Sequence, residues 1–130
     1  IDYSKNAIAS VKNTLPQEFQ NFVEYKNADI RNTPIPDVDV TIAIGVLTYI
    51  DDVELFFNNV LPHTNDILVN FINRDNPLNL LRQFLPVLDV RNLSFHTMDI
   101  IEAALDQHNF LVADVQSLAT GFMVRGTKKK

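Results

Sequence analysis

Asp37-Val-Asp-Val-Thr-Ile-Ala-Ile-Gly-Val-Leu-Thr-Tyr-Ile-Asp-Asp52 is the stretch from which the rest of the chain can be ordered. Val38 to Ile44 is an almost unbroken apolar, β-branched run, the pattern of a strand buried on both faces of a parallel sheet, so a central strand is expected here. The run stops at Gly45, one of three glycines in the chain. Asp51-Asp-Val-Glu54 then carries the start signal of a helix, an N-cap acid with a glutamate three residues on. Gly45 to Ile50 is therefore a strand-to-helix turn. Ligands of open α/β sheets bind outside the carboxyl ends of the strands, which makes this turn a candidate binding surface.

Working outward, Ser4 is placed to cap a helix with its inner stripe at Ala7, Ile8, Val11 and Leu15, ended by Pro16. Phe22 to Tyr25 reads as a short strand, followed by Asn27-Ala-Asp-Ile30 and a turn holding Pro34 and Pro36. Beyond the central strand, Val53, Phe56, Phe57 and Val60 form the inner face of a helix, and Asp66 to Ile72 is a second apolar strand. Alternating strands and helices argue for parallel order with right-handed crossovers. Asn76-Pro77 starts a helix carrying Leu78, Leu81, Phe84 and Leu85 up to Pro86, within a helical insertion over 75–95. Thr97 caps a helix over Met98 to His108, and Asn109 suits the left-handed position that ends it. Phe110 to Val115 and Thr120 to Arg125 are strands joined by so short a link, Gln116 to Ala119, that they pair antiparallel.

The chain has 130 residues, 46% of them hydrophobic, without repeats, which suits a single domain over 1–130 with a sizeable core. A net charge of −5 with scattered acids lacks the basic stripe of a nucleic-acid binder. No apolar run nears the ~20 residues of a membrane span, so no membrane partner is expected. The absence of cysteine excludes disulfides, thiolate metal sites and thiol nucleophiles, and a cytoplasmic protein is expected. His63, His96 and His108 are too dispersed for a metal-ligand pattern, and no metal is expected. Asp37 and Asp39, one residue apart, could hold a divalent cation, but they stand at the start of a strand, away from the ligand end.

An early strand-end acid in Ile1-Asp-Tyr-Ser4, Ala28-Asp29-Ile30, Gly45 to Asp52, and a late helix running into Asn109-Phe110 and a closing hairpin together resemble the class I S-adenosylmethionine-dependent methyltransferases, from that family's second strand to its last. The resemblance implies a Rossmann-like three-layer α/β sandwich, mostly parallel and ending in an antiparallel hairpin, with S-adenosylmethionine as cofactor and a small molecule as methyl acceptor. It implies that Asp2 holds the ribose hydroxyls, Tyr3 lies against the adenine, Asp29 receives the adenine amino group, Ile30 offers a backbone amide, and Gly45 and Val46 line the cofactor site. Tyr49 is placed at the substrate mouth. Asn70 and His96 are further candidates for substrate contact, by their places near strand ends and before the last helix. A carboxylate can accept two hydrogen bonds from a vicinal diol, which suits Asp2. Helix-start and Asx turns are the structural alternatives for Asp2 and Asp29, and a turn needing positive φ is the alternative for Gly45.

The family's glycine-rich loop has no counterpart, since no glycine precedes Gly45. The expectation is an N-terminally incomplete fold, with a strand and helix of about 30 to 50 residues upstream of Ile1. Without that strand, its neighbours in the middle of the sheet expose their edges. No catalytic base is identified, because displacement at an activated sulfonium needs positioning above all. The competing readings are a nicotinamide-dependent oxidoreductase, in which a second-strand acid also binds ribose, and a non-enzymatic remnant or interaction module. The methyl acceptor and the oligomeric state are not encoded legibly.

Overall fold

The computed structural model describes residues 1–84 and 92–130. Four strands, β1 (Val38–Ala43), β2 (Thr64–Ile72), β3 (Phe110–Ser117) and β4 (Gly121–Lys128), form one sheet in the order β1-β2-β4-β3. β1 and β2 are parallel, with Val40 opposite Asp66 and Ala43 opposite Val69. β2 pairs antiparallel with β4, and β4 with β3, so the sheet closes with the expected hairpin. Two isolated parallel bridges lie outside these strands, Asp2 with Asn27 and Asn73 with His96.

The helices are α1 (Lys5–Thr14), α2 (Val53–Val60), α3 (Pro77–Phe84) and α4 (Met98–Gln107). Val53, Phe56, Phe57 and Val60 of α2 and Ile101, Ala104 and Leu105 of α4 are buried with Ile67, Val69, Phe71, Phe110 and Val124 of the sheet, in one continuous core. Phe56 and Phe57 meet edge to face, with centroids 5.3 Å apart. The architecture is the Rossmann-like α/β arrangement, parallel on one side of β2 and antiparallel on the other.

Local signals account for most boundaries. Ala7 N–H donates to Ser4 Oγ at 3.2 Å, which caps α1. Asn109 takes φ +63°, the left-handed residue after α4. Two close approaches require glycine. A Cβ at Gly121 would stand 1.9 Å from the carbonyl oxygen of Phe71, and one at Gly126 would meet Leu105 and Ile67 at 2.9 and 3.0 Å.

The structure corrects several expectations. β1 is not a doubly buried central strand: β2 is its one strand partner among the described residues, and Val40 and Ile42 are 53% and 67% exposed. Ala43 packs into the core, but the opposite face is apolar and uncovered, so the sequence pattern reports a burial that these elements do not supply. A second cavity of about 610 Å³ follows this bare edge, from Val38, Val40 and Ile42 across to Ile1, Lys26 and Pro34. The segment before Asn27 is a 3-10 helix, Gln17–Phe22, rather than a strand over Phe22 to Tyr25. Helix α2 is capped by Asp52, whose Oδ1 accepts from Glu54 N–H at 3.0 Å. Asp51 instead accepts from Ser94 Oγ at 2.5 Å. In α1 nothing is fully buried, and Val11 is exposed. Part of the 75–95 insertion, including Leu85 and Pro86, lies outside the described residues; α3 occupies its first half.

Candidate functional site

Three chain turns converge at the carboxyl ends of the parallel segments. The first two are locked together by backbone. Asp2 N–H donates to Lys26 O and Ala28 N–H donates to Asp2 O, both at 3.1 Å, which sets Asp2 and Asp29 side by side. Asn27 Nδ2 reinforces the join by donating to Asp2 O at 2.9 Å and Tyr3 O at 2.8 Å. The third turn follows β1. Gly45 has φ +73°, a conformation most side chains resist, and its N–H donates to Asn70 Oδ1 on β2 at 2.6 Å. Val46 to Tyr49 then closes through Tyr49 N–H to Val46 O at 3.0 Å.

Between these turns lies a cleft of about 410 Å³ lined by Ile1 to Ser4, Ala7, Ala28 to Arg31, Ile44 to Val46, Tyr49 and Ile50. The fold thus gathers seven of the nine residues nominated from the sequence: Asp2, Tyr3, Asp29, Ile30, Gly45, Val46 and Tyr49. Tyr3 is 72% exposed, so its ring is available to lie against a planar ligand. Asp2 Oδ1 accepts from Ser4 N–H at 2.7 Å. Ile30 is held by Asn59 of α2, whose Nδ2 donates to Ile30 O at 2.6 Å and Thr33 O at 2.8 Å.

Asn70 and His96 are not on the cleft wall. Asn70 works from behind it, through Gly45. His96 is 4% exposed and its Nε2 lies 3.0 Å from Leu47 O. A carbonyl oxygen only accepts, so Nε2 carries the proton and donates. Ser94 N–H donates to Thr48 O at 2.7 Å, and His96 N–H to Ile72 O at 3.0 Å, so the 94–96 segment straps the turn over 47–51 to the end of β2.

Arg31 was not anticipated from the sequence. Its Nε lies 3.0 Å from Asp29 Oδ1 and 3.1 Å from Oδ2, its Nη2 2.6 Å from Oδ2, and its own N–H donates to Oδ1 at 3.0 Å. The guanidinium hydrogen bond holds the Asp29 carboxyl below the usual carboxylate range, and Asp29 in turn pushes the guanidinium up. An arginine two residues after an acid is common enough to carry no signal until the turn is seen to fold it back. Among the described residues no group of three histidines, aspartates or glutamates could hold a metal ion, and no helix is long and apolar enough to cross a membrane.

A family described as "Methyltransferase domain" matches residues 1–62, the span holding all the turns of the cleft. The fold is similar to that of solved methyltransferases. An O-methyltransferase family protein from Burkholderia thailandensis superposes with a TM-score of 0.75 at 16% identity, over 99% of this chain and 42% of that one. Mitomycin 7-O-methyltransferase MmcR gives 0.70 at 18% identity, over 96% and 39%. Magnesium protoporphyrin IX methyltransferase from Synechocystis PCC 6803 with bound SAH gives 0.67 at 14% identity, over 87% and 57%. The chain therefore spans less than two thirds of the length of each. No curated protein matches the chain.

Proposed function

We propose that the chain is a class I methyltransferase domain that binds S-adenosylmethionine in the Asp2–Asp29 cleft and takes part in methyl transfer to a small-molecule acceptor, a reading supported by the methyltransferase-like fold and by the family match over residues 1–62. The observation that carries this reading is the convergence of two strand-end acids, an exposed tyrosine and a positive-φ glycine turn on one cavity. In it Asp2 Oδ2 takes the ribose hydroxyls, Tyr3 lies on the adenine face, and Gly45 and Val46 bring backbone close to the ligand. Asp29 faces the adenine edge, with the Ile30 amide beside it. When bound, the cofactor supplies a methyl group already activated on a sulfonium, so the protein's task is to orient donor and acceptor and exclude water. Tyr49, 57% exposed at the cleft wall, is the candidate contact to the acceptor. Asn70 and His96 belong to the same machinery as supports, since each holds the turn that forms the wall. A small acceptor fits the names of two of the structural neighbours, which refer to magnesium protoporphyrin IX and mitomycin.

The bare edge of β1 belongs to this reading. A parallel strand seated between Val38–Ile44 and Ile1–Asp2, ending in a glycine-rich turn, would cover the exposed valines and isoleucines and close the cleft. The same edge favours a second reading, in which the domain is a non-enzymatic interaction module.

Native mass spectrometry with S-adenosylhomocysteine separates the two. The expected result is a protein that retains one ligand and loses it on Asp2→Ala. A protein that retains nothing would overturn the methyltransferase reading in favour of the interaction module.

A further inference from the structure

The cleft places its one arginine directly on one of its two acids. Asp29 offers about four lone-pair sites, two on each oxygen. Three donors already engage them: Arg31 N–H on Oδ1, Nη2 on Oδ2, and the single Nε–H shared between both oxygens. With both oxygens engaged by the guanidinium, an incoming amino group must compete with it for the carboxylate. Yet both partners remain accessible, the Asp29 side chain 35% and the Arg31 side chain 48% exposed, so the pair can open without unpacking the core. Arg31 is a long side chain in a surface turn, and an exposed ion pair of this kind is weak enough to be exchanged for a ligand.

We propose that Arg31 is a latch on Asp29: a purine ligand bearing an exocyclic amino group gains the Asp29 carboxylate in competition with the Arg31 guanidinium, which lowers affinity for amino-purines and makes it salt-dependent. Arg31 is thus a positioning residue that acts through Asp29. The inference rests on the reading of this cleft as an adenosine site. Salt screens the ion pair and favours the open state, so affinity for an amino-purine ligand rises with ionic strength, opposite to the usual trend for a charged ligand held by ion pairs.

The test is titration calorimetry of the protein and of Arg31→Ala and Arg31→Lys with two ligands, S-adenosylhomocysteine and its inosine analogue, in which a carbonyl replaces the amino group. Arg31→Ala is expected to bind S-adenosylhomocysteine roughly fivefold more tightly than the parent, the factor that corresponds to an exposed ion pair. That gain is expected to vanish at high salt and to be absent for the inosine analogue. Arg31→Lys, a point charge without the bidentate fork, is expected to fall between. A purely structural arginine would shift both ligands alike. Equal binding of S-adenosylhomocysteine by all three proteins, with one salt dependence, would overturn the latch and leave the cofactor reading intact. No binding of either ligand by any of them would overturn both.

Discussion

Asn70 on β2 accepts a hydrogen bond of 2.6 Å from the amide of Gly45, the positive-φ residue that ends β1. A neighbouring strand therefore fixes the cleft's third wall, and the two carboxyl ends cannot drift apart without breaking that bond. Asn70→Ala is expected to lower stability by about 1 kcal/mol, the worth of one part-buried hydrogen bond. It should also weaken S-adenosylhomocysteine binding. Thermal unfolding and calorimetry read the two effects separately; unchanged binding would remove Asn70 from the site.

The glycines make a contrasting pair. At Gly45 nothing lies within 4 Å of an added Cβ, so Gly45→Ala meets only the cost of left-handed backbone, about 1 kcal/mol. At Gly121 the added carbon would stand 1.9 Å from the Phe71 carbonyl oxygen, and backbone cannot yield there without parting β2 from β4. Gly121→Ala is expected to abolish cooperative unfolding, which circular dichroism during heating detects.

Asn79 of α3 is fully buried and its Nδ2 donates to Asn73 O and Thr120 O, both at 2.7 Å. It clamps the end of β2 to the hairpin. Asn79→Ala leaves two carbonyls without that donor, for an expected loss of about 2 kcal/mol measured by chemical denaturation.

Asp66 accepts from Thr127 Oγ1 at 2.6 Å and pairs with Arg125 at 3.0 Å across the β2–β4 ladder. These contacts, Thr127 first, hold its carboxyl below the ordinary 3.8. A depressed acid stabilises the fold above its unfolded pKa, and the contribution disappears as pH falls through the folded value. Asp66→Asn should therefore melt below the parent at neutral pH and converge with it in strongly acidic buffer. A constant gap across the range would mean that the carboxylate's ionisation is not what the ladder uses.

Much of this architecture was legible along the chain because its signals are local. The caps at Ser4 and Asn109, the apolar stripes of α2 and α4 and the short link of the closing hairpin act over a few residues, and each appears in the fold where its chemistry puts it. Asp2 and Asp29 were nominated by the family resemblance, and the cleft holds both. Contacts set by the folded backbone were not legible along the chain. Arg31 could be placed on Asp29 only by the shape of its turn, Asn70 behind Gly45 and His96 behind Leu47 only by the pairing of β2, and the exposure of β1 only by which strands stand beside it. An apolar run encodes the burial a strand needs; its neighbours are what supply it, and they are set by the assembled sheet.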